Sequence, residues 1–188
     1  MLGENLSKSE IEEKIFGRGE FVQMDYLSKL LRQSLHRDTK KFIYLKLIEI
    51  YDKRKMYNDS AKMYEGLADI SIAFSEKIKY FVKAVESYIL AGFFDKADYS
   101  LKRAYGEANS REREDISHHV KNFYKNLAEN YEREVKRNHA VKVYLKLLEM
   151  NITDMERKEI KKKLIDLYEK LGKIKEFYAL KRAEEREF

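Results

Sequence analysis

The sequence predicts an all-α protein built from antiparallel helical hairpins that pack in series. Proline is absent and only seven glycines occur in 188 residues, too few for the many turns of a β-sandwich or barrel. No β-branched runs alternate with helical segments, as a parallel α/β fold would require. A helical pattern that breaks and restarts at once, as in ESYILAGFFDKADYSLKRA from Glu86, occurs four times.

The composition is that of a folded chain without cysteine chemistry. Apolar residues make up 44% and charged residues 38%, which excludes a disordered chain. The lack of cysteine excludes disulfides, thiol catalysis and cysteine-based zinc sites. The N-terminal MLGENLSKSEIEEK lacks the apolar stretch of a signal peptide, and no apolar run approaches the ~20 residues that span a bilayer. We therefore expect a cytoplasmic protein with no membrane span.

Residues 1–37 predict a degenerate helical hairpin that caps the array. Ser9 and Glu12 have the spacing of a capping box at the start of its first helix. The apolar face of that helix is expected to comprise Ile11, Ile15 and Phe16. Residues 17–19, GRG, end it, and a second helix is expected from Phe21 to Leu35. The apolar face of the second helix comprises Met24, Leu27, Leu30 and Leu31.

Residues 38–188 predict four further hairpins, continuous with the first in one domain. Each hairpin is aligned on one tyrosine, called its anchor, near the end of its first helix. The four anchors are spaced by 37, 43 and 37 residues: Tyr51, Tyr88, Tyr131 and Tyr168. Apolar residues recur seven, four and three positions before each anchor, on one face of a helix. Positions nine, thirteen and sixteen after it lie on one face of a second helix. In the last unit three of these positions are charged: Lys161, Lys181 and Glu184. We expect the tyrosines to pack between helices.

The break itself falls four positions after each anchor, at Lys55, Gly92, Val135 and Gly172. Glycine suits a helix end that turns in the left-handed conformation. The small residue nine positions after most anchors lets two helices approach closely. Six extra residues precede the third anchor. There Ser110 is expected to cap a long helix from about Arg111 to Val135. Thr153 and Glu156 predict a capping box before the fourth anchor.

This repeat resembles the tetratricopeptide repeat. In one unit the resemblance rests on Phe81, Ala84, Val85, Tyr88, Gly92, Phe94, Ala97, Leu101 and Ala104. In the next it rests on Tyr124, Leu127, Ala128, Tyr131, Ala140 and Tyr144. The 37-residue period exceeds the usual period of ~34 residues by about one helical turn, and is similar to the longer repeats of soluble NSF-attachment proteins. The resemblance implies a right-handed α-solenoid whose first helices line a concave groove.

Charged residues recur at equivalent positions of the first helices, and each such set of positions is called a column. They are the candidate binding residues, because the resemblance places them in that groove. With neighbouring apolar positions, the predicted partner-binding set is Leu45, Lys46, Glu49, Val82, Lys83, Glu86, Ile89, Leu90, Asn126 and Glu129. An alternative is that the charges form exposed ion pairs that bind nothing. The helix expected from Lys77 to Ala91 is apolar nearly all round, so Val82, Ile89 and Leu90 are either docking residues or core.

No catalytic or cofactor-binding pattern is present. The histidines are His36, His118, His119 and His139, and none belongs to a motif with metal-ligand spacing. The sequence has no P-loop and no GxGxxG motif. We predict no enzymatic activity, no cofactor and no metal.

The predicted function is that of a scaffold or adaptor that binds a peptide or helix of a partner protein. The alternative is a basic adaptor associated with RNA or DNA, because the net charge is +6 and the pI is near 9.1. The positive excess is spread over both halves of the chain. Its densest spot comprises Arg157, Lys158, Lys161, Lys162 and Lys163, and acidic residues interleave it. A protein partner is therefore favoured, and oligomeric state, including a homo-oligomer, is left open.

Overall fold

Ten α-helices joined by short turns form the described part of the chain. The structure is a computed structural model that describes residues 6–185, with side chains through residue 183. The helices are α1 Lys8–Ile15, α2 Glu20–Leu31, α3 Arg37–Lys53, α4 Tyr57–Ile70, α5 Phe74–Leu90, α6 Phe94–Glu107, α7 Ser110–Arg133, α8 Arg137–Leu148, α9 Asp154–Lys170 and α10 Ile174–Glu185. No strand occurs in residues 6–185, so the all-α prediction is confirmed.

The helices pack against their neighbours in the chain, within two compact units. The first unit is Met1–Glu114 and the second Asp115–Phe188, with the boundary inside α7. In the first unit α1 packs on α2, and each helix from α2 to α5 packs on the next. In the second, α9 packs on both α8 and α10. The predicted hairpin boundary at residues 37–38 coincides with the start of α3.

Each predicted break is a left-handed residue within one recurring turn. The φ angles are 57° at Lys55, 77° at Gly92, 59° at Val135 and 66° at Gly172. The next residue donates its N–H to the carbonyl of the anchor tyrosine, as Phe93 does to Tyr88 at 2.9 Å and Lys136 to Tyr131 at 2.8 Å. This six-to-one bond is the signature of the Schellman motif. The tyrosine anchor therefore marks the last turn of the first helix in each of the four later hairpins, on α3, α5, α7 and α9.

Two of the predicted N-terminal caps are wrong and one is confirmed. Ser7 and Glu10 form the capping box of α1, instead of Ser9 and Glu12. Asn109, and not Ser110, caps α7: its Oδ1 accepts the N–H of Glu112 at 3.0 Å. The Glu112 carboxylate accepts the N–H of Asn109 in return, at 2.9 Å. The box of Thr153 and Glu156 at α9 is as predicted.

The N-terminal hairpin packs on α3 through a single apolar cluster. Its members are Ile11, Ile15, Met24, Leu27, Leu30, Ile43, Leu47 and Ile50. Phe16 was expected in this face but is 88% exposed, because it follows α1 and the chain turns away at Gly17. The second helix ends at Leu31 instead of Leu35, since the polar residues 32–34 offer no apolar face.

The repeat columns form the core of the later hairpins. Leu47, Ala84, Leu127 and Leu164, four positions before the anchors, are all buried. The small residues nine positions after the anchors, Ser60, Ala97 and Ala140, are also buried. Tyr88 and Tyr168 are buried, whereas Tyr51 and Tyr131 are half-buried. Lys181 is exposed, and the Glu184 side chain lies outside the described residues.

Candidate functional site

Of the three predicted residues on α3, Lys46 and Glu49 form an ion pair on the surface of the helix. Leu45 is 44% exposed. The Lys46 ammonium lies 3.7 Å from the Glu49 carboxylate and 3.9 Å from that of Glu12 on α1. Such pairs contribute a few tenths of a kcal/mol and specify no ligand. On α3 the predicted charged residues therefore form ion pairs with each other and with α1.

The predicted residues on α5 divide between surface and core. Lys83 is exposed and its ammonium lies 2.7 Å from the Glu86 carboxylate, while Val82 and Leu90 are half-buried. Glu86 and Ile89 are only 9% and 1% exposed, so neither is open to a partner. For Ile89 this corrects the docking assignment. The cause is that α5 packs on α4 on one side and on α6 on the other, so that residues 84–89 are all buried.

The burial of Ile89 follows from its repeat position, one residue after an anchor. The equivalent residue of the α7–α8 hairpin, Glu132, accepts a hydrogen bond from the hydroxyl of Tyr144 on α8. In the α3–α4 hairpin, Asp52 lies beside Tyr64 on α4. Burial, together with the nearby carboxylates of Asp52 and Glu86, raises the pKa of Tyr64 to about 12. This position thus faces into the hairpin.

The remaining predicted residues, Asn126 and Glu129, lie on α7 in the second unit. Asn126 is exposed and Glu129 is half-buried. Glu129 contributes to a narrow cleft with a volume of about 20 Å³ between α7, α8 and α9. The cleft is lined by Lys121, Lys125, Glu129, Tyr144, Leu147, Ile152, Glu156, Glu159, Ile160 and Lys163. Its volume is close to that of one water molecule, so it accepts a small aliphatic group and excludes an aromatic ring.

Two ion pairs tie α9 to α7 at the edge of this cleft. The Lys121 ammonium lies 2.9 Å from Glu156 Oε1, and the Lys163 ammonium 3.0 Å from Glu132 Oε1. Hydrogen bonds from the Thr153 backbone and then from Lys121 lower the pKa of Glu156 to about 2. Burial, then the hydrogen bond to Glu132, raises the pKa of Tyr144. The first helices of the second unit are therefore held side by side by charged groups.

The same ion pair recurs in the first unit. Lys41 on α3 lies 2.7 Å from Glu76 on α5. Lys41 and Lys121 both stand ten positions before their anchor, and Glu76 and Glu156 twelve positions before theirs. Sequence reasoning missed this column, although the recurrence of lysine and glutamate at those positions was the signal that could have revealed it. In both units, therefore, the same lysine–glutamate pair connects one first helix to the next first helix along the chain.

Three charged groups at the cleft have no ion-pair partner among the described residues: Lys125, Glu129 and Glu159. Glu129 and Glu159 come from different helices, and both raise the pKa of Tyr144 through their charge, after burial and Glu132. The Tyr144 hydroxyl donates its proton to Glu132, so it donates no hydrogen bond to either of them. The site therefore offers an apolar floor and a rim with unpaired charge of both signs.

The histidines and the basic spot show no assembled site. Within residues 6–185, no three His, Asp or Glu side chains are grouped so that they could hold a metal ion. His118 contacts Asn122 at 3.2 Å, and the His139 ring lies 5.3 Å from that of Tyr131. In the basic spot Lys161 is 9% exposed. The Arg157 guanidinium donates to the Leu148 carbonyl at 3.1 Å.

Comparisons of the chain with protein-family models, with curated proteins and with solved structures find no match. None of the helices in the described residues is long and apolar enough to cross a membrane.

Proposed function

We propose that this protein is a non-enzymatic scaffold that binds a segment of a partner protein at the surface of its first helices. The observation that carries the proposal is the cleft between α7, α8 and α9, where Leu147, Ile152 and Ile160 form an apolar floor below a charged rim. Convergent apolar and charged groups in a concavity are typical of a binding site. Leu147 and Ile160 of this floor belong to the core, whereas Ile152 is half-buried and the rim residues Lys125 and Glu159 are exposed.

We further propose that the hairpins form a right-handed solenoid of the tetratricopeptide type. This is supported by the recurring Schellman turn at each break and by the equivalent bridges Lys41–Glu76 and Lys121–Glu156. In such an array each hairpin buries its apolar face only against its neighbours. Its first helices would then offer docking positions along their length.

A protein partner is favoured over nucleic acid because the basic spot is not a continuous cationic surface. Lys163 is paired with Glu132, Lys161 is buried, and Arg157 is bound to a backbone carbonyl. A nucleic-acid footprint is a clustered basic stripe that neutralises several phosphates.

The proposal is tested by panning a library of random 12-residue peptides on the immobilised full chain. We expect enriched peptides that bind with micromolar or tighter Kd. Ile152→Trp, which enlarges a side chain at the cleft, should weaken them, whereas Ile174→Trp on the exposed surface of α10 should not. A lack of enriched peptides, together with oligonucleotide binding that falls steeply between about 50 and 200 mM salt, would favour the nucleic-acid alternative.

A further inference from the structure

We infer that the segment bound at the α7–α9 cleft carries a small aliphatic side chain next to a lysine or arginine, and that Glu129 and Glu159 receive this basic group. The inference rests on the proposed function, and it states which partner chemistry the cleft selects. It depends on two features of the cleft, the size of its floor and the balance of its unpaired charges.

The floor selects the anchoring side chain. Leu147, Ile152 and Ile160 line it, and the ring of Tyr144 closes it from α8. A volume of about 20 Å³ admits the branch of a valine, isoleucine or leucine side chain but not an aromatic ring. Burial of such a group contributes about 25 cal/mol per Å² of apolar surface, so the anchor supplies affinity.

The charge of the rim determines which residue of the partner is favoured next to the aliphatic anchor. Lys121 and Lys163 are already neutralised by Glu156 and Glu132, at 2.9 and 3.0 Å. Two carboxylates, Glu129 and Glu159, are left against a single ammonium, Lys125, among the described groups that line the cleft. The surplus at the rim is therefore negative, although the whole chain carries +6. A partner cation gains from both carboxylates, whereas a partner anion meets one lysine and two repelling groups.

The two carboxylates both line the cleft and act on one common side chain. Glu129 lies on α7 and Glu159 on α9, and both exert their charge on Tyr144 of α8. Because both carboxylates line the same small cleft, we expect a basic side chain next to the aliphatic anchor to contact them. Charge at this rim fixes orientation and partner choice more than total affinity.

The experiment uses peptides selected by panning on the full chain and compares two double variants with the same change in charge. Glu129→Gln with Glu159→Gln removes the proposed pair. Glu169→Gln with Glu176→Gln removes two exposed carboxylates of α9 and α10 that do not line the cleft. We expect the first double variant to bind selected peptides about tenfold more weakly, and the second to differ by less than about twofold. Circular dichroism should show both variants folded, because none of the four side chains is buried.

The selected sequences provide a second readout. Peptides enriched on the wild-type chain should combine valine, isoleucine or leucine with an adjacent lysine or arginine. Peptides enriched on the first double variant should lose the basic residue and keep the aliphatic one. Enriched peptides that lack a basic residue, or that bind both double variants alike, would overturn this inference and leave the proposed function standing. A panning that enriches no peptide overturns both.

Discussion

The ring of Tyr44 on α3 lies directly against the backbone of Gly66 on α4. A Cβ atom at Gly66 would stand 2.5 Å from Cε1 and Cζ of that ring and 2.7 Å from its hydroxyl oxygen. Glycine inside a helix costs about 1 kcal/mol relative to alanine. The close approach of Tyr44 explains why it is nevertheless present.

We expect Gly66→Ala to destabilise the protein, although helix propensity alone predicts the opposite. The matched control is Gly106→Ala in α6, where nothing lies within 4 Å of an added Cβ. That variant should gain about 0.5–1 kcal/mol. Thermal unfolding followed by circular dichroism measures both. A rise in Tm for Gly66→Ala equal to that of Gly106→Ala would mean that Tyr44 does not occupy this position.

The backbone strain at the recurring turn can be tested by exchanging valine and glycine between two equivalent positions, Val135 and Gly92. Val135 has φ 59°, a conformation that costs a non-glycine residue about 1–2 kcal/mol and is especially unfavourable for a β-branched one. Gly92 occupies the equivalent position with φ 77°. Val135→Gly should therefore stabilise the protein by about 1 kcal/mol, because its side chain is 60% exposed and little burial is lost. Urea unfolding gives the free energy of unfolding.

Gly92→Val is the counterpart of that change and should destabilise by about 1–2 kcal/mol. An added Cβ at Gly92 meets nothing within 4 Å, so a loss of stability there would come from backbone strain alone. If both substitutions leave the midpoint of unfolding unchanged, the left-handed turns are not under strain.

The helices and turns were predictable because they depend on short-range patterns. Apolar spacing determined which faces became core, and the break four residues after each tyrosine determined where each first helix ends. The caps were harder to predict. In LSKSEIEE both Ser7 with Glu10 and Ser9 with Glu12 fit a capping box. The helix begins at Lys8, three residues before the buried Ile11, so Ser7 is the residue that caps it.

The cleft was not predictable from the sequence because it is made by residues far apart in the chain. Glu129 was identified from its column, but its neighbour Glu159 comes from the next first helix. Lys121 and Glu156 are 35 residues apart and meet only because α9 lies beside α7. One copy of the repeat determines which face of a helix is apolar. Only the recurrence of lysine and glutamate at the equivalent positions Lys41 and Glu76 could have indicated that Lys121 and Glu156 meet.

Ile89 and Val82 were predicted together as either docking residues or core, and single substitutions distinguish the two roles. Ile89→Ser should destabilise by about 3 kcal/mol or more, because it leaves a cavity and a buried hydroxyl at a side chain that is 1% exposed. Val82→Ser should cost less than about 1.5 kcal/mol, since Val82 is only half-buried. Chemical denaturation of the two variants tests this. Equal losses of stability would mean that the two side chains share one environment.

The carboxylate of Glu156 gives the protein an acid-sensitive ion pair at the cleft. Hydrogen bonds from Thr153 and Lys121 lower its pKa from an ordinary value of 4.5 to about 2 in the folded chain. Between these two values the unfolded chain binds a proton at Glu156 that the folded chain does not, so stability rises with pH in this window. The contribution is complete above about pH 4.5 and is lost as the pH falls towards 2.

Glu156→Gln should therefore reduce the slope of unfolding free energy against pH between about 2 and 4.5. The difference from the wild type should be constant above that range. Lys121→Met should give an intermediate slope, because the Thr153 hydrogen bonds remain. Parallel wild-type and Glu156→Gln curves through this window would contradict the lowered pKa.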